Sequence, residues 1–149
     1  MEQPVHPKKG EGKKLPKPNN IVTVPTNLDT DFFKWWCIFL RPFLNITNRE
    51  IEIVACFLKH RWELSKNVSD PTLLDKLVMA EDTKKKVRQE CKVTAAYLSV
   101  VISNLKKNHV IENGTINPRL IPNIRQDDNG CFQLLVLFRD TKKNDEKGI

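Results

Sequence analysis

Several features are scarce in these 149 residues, and each scarcity weighs against a class of protein. The four cysteines, Cys37, Cys56, Cys91 and Cys131, stand 19, 35 and 40 residues apart, so no pair has the two-residue gap of a zinc knuckle or redox motif. Five glycines, with no Gly-x-Gly-x-x-Gly and no Gly-Lys-Ser, leave no loop to cradle a nucleotide phosphate. The three histidines are scattered: His6 in a Pro/Lys-rich stretch, His60 in an apolar helix, His109 before a turn. No Ser/His/Asp or Cys/His arrangement emerges from them, and no enzyme is expected. No segment approaches the roughly 18 consecutive apolar residues of a membrane span. The opening Met1-Glu2-Gln3-Pro4 is not followed by an apolar run, so a secretory leader is not expected.

What is present suits one modest domain with tails. Apolar residues make up 40% and charged residues 29%, enough for a single core and unlike wholesale disorder. Cys37 and Cys56 have apolar neighbours, as in Trp36-Cys37-Ile38 and Ala55-Cys56-Phe57, the setting of a reduced, buried thiol, and all four cysteines are expected to be free in a reducing compartment. Cys56 and His60 are one helical turn apart and would suit a shared metal. Two ligands do not make a site, however, so no metal and no cofactor is expected.

The net charge is +7, and it is unevenly placed. Residues 1–20 hold five Lys against two acids. Residues 84–107 hold seven bases against Glu90 alone.

Read along the chain, residues 1–28 contain five prolines and no apolar cluster, and are expected to form an extended basic arm, either a disordered tail or one that orders on a partner with Ile21-Val22-Thr23-Val24 as a short strand seeking an edge. Residues 29–138 form the domain, and 139–149 a polar tail. The aromatic stretch from Phe32 to Leu40 reads as a helix capped by Asp29, Thr30 or Asp31 and ended by Pro42. Its apolar faces exceed what one small domain covers, so part is expected to meet a partner. Thr47-Asn48-Arg49-Glu50 is a capping box for a helix to about Ser65, and Ser69-Asp70-Pro71 opens another with Leu73, Leu74, Leu77 and Val78 inward. A basic helix over 82–91, a turn at Lys92-Val93 and a helix over 95–108 capped by Thr94 follow the order of a helix-turn-helix. Asn113-Gly114 then predicts a hairpin, which is where a winged helix carries its wing. Residues 131–138, after the turn Asp127-Asp128-Asn129-Gly130, read as a strand covered on both faces. The fold class is mostly α with a small antiparallel sheet, a winged helix-turn-helix-like domain.

The second helix of the pair argues against base reading. Ala95, Leu98, Val101, Ile102 and Leu105 fall on its core side, and Ala96, Tyr97, Ser99, Val100, Ser103 and Asn104 on the other. Base readout needs long hydrogen-bonding side chains in the first turns, and none precedes Asn104. Two readings follow. In one, Lys84, Lys85, Lys86, Arg88, Lys106 and Lys107 contact phosphate with little sequence preference. In the other, Ala96, Tyr97, Val100, Ser103 and Asn104, with Trp35 and Trp36 of the aromatic helix, dock on protein.

Thr47-Asn48-Arg49-Glu50-Ile51 is similar to the opening of the helix-turn-helix in response-regulator proteins, but a further helix intervenes here and nothing is carried over. A longer resemblance runs through Phe39-Leu40-Arg41-Pro42-Phe43, Thr47-Asn48-Arg49-Glu50-Ile51, Ser69-Asp70-Pro71, Tyr97-Leu98-Ser99, Ile102-Ser103-Asn104-Leu105-Lys106-Lys107-Asn108 and Ile116-Asn117-Pro118-Arg119-Leu120. In the order of these segments the chain resembles small proteins of crAss-like bacteriophages. The resemblance implies a structural or auxiliary virion protein near the portal or neck, present in multiple copies, assembled in the host cytoplasm and docked on other virion proteins. The alternative is a DNA-binding regulator acting mainly through phosphate contacts. No membrane association is expected.

Overall fold

The computed structural model describes residues 21–29 and 31–142, and among these the first backbone turn is at Asn27. Its carbonyl accepts hydrogen bonds from the backbone N–H groups of Asp31 and Phe32, and its Oδ1 accepts from Asp29 N at 2.7 Å. This turn starts helix α1, Phe32–Leu40, in place of the expected side-chain cap. Asp31 stands at the N-cap position but makes no side-chain capping bond, and Thr30 lies outside the described residues. Pro42 sits in the short 3-10 turn Arg41–Phe43 that closes the helix.

Helix α2, Asn48–Ser65, opens with the expected capping box. Glu50 N donates to Thr47 Oγ1 at 3.2 Å, and Thr47 N donates to Glu50 Oε1 at 2.9 Å. Glu50 is nevertheless buried, because its second oxygen accepts from Asn104 Nδ2 at 3.3 Å, from 54 positions along the chain. A carboxylate can sit inside only when its lone pairs are used in this way. From Ile53 to Leu58 every residue of α2 is buried, which makes this helix the axis of the molecule. Helices α1, α3 (Pro71–Val78) and α4 (Glu81–Cys91) surround it.

The local signals hold through this region. Asp70 Oδ1 caps α3 by accepting from Thr72 N at 3.1 Å, with Pro71 in the first turn. The buried Thr83 hydroxyl donates to Leu77 O at 2.8 Å and ties α4 to the end of α3. Lys92 takes the left-handed conformation, φ 56°, to turn the chain, and Thr94 Oγ1 accepts from Tyr97 N to start α5, Ala95–Lys107. The hairpin follows. Strands β1 (Ile111–Glu112) and β2 (Thr115–Ile116) pair antiparallel, Ile111 opposite Ile116. Asn113 at φ 56° and Gly114 at φ 79° form its turn, the geometry in which Asn-Gly is favoured. Among the described residues the fold is thus mostly helical with one two-stranded antiparallel sheet.

Several expectations fail. Residues 131–138 form no strand. The Asp127–Gly130 turn is present, with Asp127 N donating to Cys131 O at 2.8 Å and Gly130 at φ 80°, but the chain beyond it finds no edge. A strand is a pairing rather than a composition, and residues 131–138 join neither edge of the two-residue hairpin strands. Coverage fails with it: Leu135 is 79% and Phe138 82% exposed, and Cys131 is an exposed thiol. Ile21 to Val24 are exposed and without secondary structure, which fits a free tail and an arm awaiting a partner equally, and the lysine-rich part of the expected arm lies outside the described residues. Leu73 and Ala95, expected inward, both face out in the first turns of their helices.

The burial of Glu50 makes a stability prediction. Thr47→Ala should cost about 1 kcal/mol, the usual worth of an N-cap. Glu50→Ala should cost more, about 2–3 kcal/mol, since it also strands the Asn104 amide. Urea unfolding with an unchanged slope checks both, and equal losses for the two would show that Asn104 contributes nothing.

Candidate functional site

Two regions carry chemistry beyond the core. The first is the surface expected to dock. Val100 is 56% exposed, and Ala96, Ser99 and Ser103 lie beside it on the outer side of α5. Tyr97 is also exposed. Asn104 differs from its neighbours: it is half-buried and bonded to Glu50, so its amide is committed within the chain. The two tryptophans divide in the same way. Trp35 is 63% exposed, whereas Trp36 is half-buried and donates its indole N–H to Leu120 O at 2.8 Å. Ile38, Phe39 and Phe43 are exposed near Trp35 in sequence. Phe132, edge-on to Phe32 with ring centroids 5.1 Å apart, anchors the extended segment that runs on to the exposed Leu135, Leu137 and Phe138.

The basic residues are less uniform than their spacing implies. Lys85, Lys86, Lys106 and Lys107 are exposed, and Lys84 is half-buried. Arg88 is already engaged, 2.9 Å from Glu81 one face along its own helix.

The second region is a cleft of about 410 Å³ at the seam of α1, α2 and α4, lined by Lys34, Arg49, Cys56, Lys59, Glu90 and Cys91 among others. A wider hollow of about 610 Å³ lies between Lys106 and the hairpin turn, but it gathers only one lysine, one glutamate and backbone, and nothing there points to a reaction. In the seam, Glu90 collects partners. Its Oε1 accepts from Lys59 Nζ at 2.6 Å and from Cys56 Sγ at 3.2 Å. His60 Nε2 lies 3.0 Å from Oε2, yet the pair is not aligned as a hydrogen bond. Arg49 closes the edge, donating from Nη2 to Cys91 O at 2.6 Å.

These contacts set the protonation states. Burial works against the Glu90 charge, but the bonds from Lys59 and Cys56 outweigh it and hold the carboxyl below its usual range. Burial pulls His60 down, against the opposing pull of Glu90, so the ring is neutral near pH 7. The neighbouring Cys91 thiol, with burial and Glu90 adding to it, pushes the Cys56 thiol well above its usual range. The proximity of Cys56 lowers Cys91, helped by Arg49 and resisted by burial. Cys37, in the core, is pushed up to about 12 by burial. All four cysteines are free thiols.

Helical spacing pairs Cys56 with His60 but gives no sign of Glu90 and Cys91. These come from α4, thirty or more positions away, and only the packing of α4 on α2 brings them in. A cue was present: Glu90 is the sole acid in the basic run 84–107. Comparison with known protein families, curated proteins and solved structures finds no match for this chain.

Two measurements follow. A histidine held neutral by burial stabilises the fold above its ordinary value of about 6.5 and less as pH falls below it, because the unfolded chain binds the proton more readily. The melting temperature in chelator should therefore fall between pH 7 and 5, above the range where Glu90 titrates, and His60→Gln should flatten that fall. Identical profiles would exclude His60 as the cause. On the phosphate reading, changing Lys84, Lys85, Lys86 and Arg88 together to Gln should lower the salt slope of DNA binding by about three units, one per lysine, since Arg88 is already paired. An unchanged slope, or no binding by the parent at low salt, makes these side chains an ordinary solvated helix face.

Proposed function

We propose that the protein is a non-enzymatic structural or auxiliary component of a larger assembly, docking on other proteins through apolar surface that its own chain leaves uncovered. The observation that carries this reading is the extended segment 134–138. It is composed like a buried strand, yet it holds Leu135, Leu137 and Phe138 largely in water. Fully covering such side chains is worth about 1.5–3 kcal/mol each, so a partner offering a sheet edge or apolar groove gains several kcal/mol here. The exposed residues at 21–24 are of the same kind, and the mode is strand addition.

The nature of the assembly rests on the resemblance to small proteins of crAss-like phages. On that basis it is a tailed-phage virion, with the portal or neck region as the place and other virion proteins as partners. The order of α4, turn, α5 and hairpin supports reading the module as winged-helix-like. The small, uncharged outer face of α5 then favours a packing module over a reader of bases, since a protein surface can approach it closely and a phosphate backbone gains little there.

The DNA-binding reading keeps one observation in its favour, the exposed Lys85, Lys86, Lys106 and Lys107. Such contacts would be electrostatic and nearly blind to sequence.

Two variants test docking. The triple change Leu135→Asp, Leu137→Asp, Phe138→Asp should leave the melt of the isolated protein unchanged and abolish its incorporation into virions, read by mass spectrometry of purified particles. Val100→Arg should reduce incorporation by placing an unpaired charge in a dry contact, whereas a DNA binder would be strengthened by it. Full incorporation of the triple variant would overturn the docking role of this segment, and full incorporation of Val100→Arg that of the α5 face.

A further inference from the structure

Independently of docking, three lone-pair donors meet at the seam of α2 and α4. Cys56 Sγ, a ring nitrogen of His60 and a carboxylate oxygen of Glu90 all lie within 4.8 Å of one another, and His60 Nε2 is 3.0 Å from Glu90 Oε2. Bonds of about 2.0–2.3 Å to a tetrahedral zinc ion place its ligand atoms about 3.3–3.8 Å apart, so small side-chain shifts suffice to enclose one. The arrangement follows from helix geometry. Cys56 and His60, four residues apart, share one face of α2, and the last turn of α4 brings Glu90 across from them. His60 supplies the second observation: its side chain is only 12% exposed, and Nε2 is sealed from solvent beside Glu90 without an aligned hydrogen bond.

We propose that Cys56, His60 and Glu90 bind one divalent transition-metal ion of the zinc class, with the fourth position facing the cleft that Cys91 lines. A thiolate with an imidazole selects zinc over magnesium or calcium, which prefer all-oxygen sites. Glu90 binds through Oε2, on the His60 side, while Lys59 at 2.6 Å keeps Oε1 and orients the carboxylate, the part an outer-shell partner plays around a metal. Binding displaces the Cys56 proton to solvent, so affinity rises with pH. The ion joins α2 to the end of α4, a clip across a seam otherwise held by side-chain hydrogen bonds.

The test uses the full chain, reduced and stripped with chelator, then given Zn²⁺ alone. The expected result is one zinc per chain retained through gel filtration, with a higher melting temperature, and a thiolate charge-transfer band when Co²⁺ is used instead. Cys56→Ser and His60→Gln should each weaken binding by more than about tenfold, and Cys131→Ser should leave it unchanged. Glu90→Gln, at an exposed position, gives the same test without disturbing the core should either of the first two fail to fold. A parent that retains no zinc overturns the proposal. So does an affinity unchanged in Glu90→Gln and in whichever of the other two folds.

Discussion

Everything in this fold depends on the burial of one helix. Along Ile53–Leu58 no side chain of α2 is free to face water, so α1, α3 and α4 must close around it. An amphipathic helix on a surface tolerates rotation about its axis; one covered on all sides does not. That constraint fixes the seam with α4, and with it the meeting of Cys56, His60, Lys59 and Glu90. It also explains why Glu50 is tolerated inside. The carboxylate serves the N-terminus of α2 with one oxygen and holds α5 with the other, so a single buried acid positions the last helix against the first turn of the central one.

Among the described residues, covering α2 leaves other apolar surface uncovered. Helix α1 turns Phe33 and Cys37 into the core and Trp36 toward Leu120, which leaves Trp35, Ile38 and Phe39 outside. The segment after the 127–130 turn packs against the core through Phe132 and then carries Leu135, Leu137 and Phe138 into solvent. Scattered exposed apolar residues are ordinary. A contiguous strand-like run with no sheet to join, on a chain that also exposes an aromatic helix face, is what an interaction surface looks like.

The parts of this fold decided within a few residues were legible in the sequence. The capping box at Thr47, the Asp70-Pro71 start, the Lys92 turn and the Asn113-Gly114 hairpin all follow from local stereochemistry, which neighbours did not override. The strand at 131–138 misled because β-propensity reports fitness for a half-buried pleat, not the presence of a partner strand. The polar cluster was half legible for a related reason. Cys56 and His60 share a helix face and can be read from spacing, while Glu90 and Cys91 join them only through tertiary packing. The division of Trp35 from Trp36, and of Val100 from Asn104, was likewise invisible before the positions of Leu120 and Glu50 were known.

Docking through the uncovered segment is the claim on which the functional account stands, and hydrogen exchange tests it most directly. The amides of residues 133–138 have no strand pairing in the isolated chain, so they should exchange as fast as an unstructured peptide while those of α2 stay protected. In the assembled particle the same amides should become strongly protected. Protection already present in the isolated monomer, or none gained on assembly, would contradict the account.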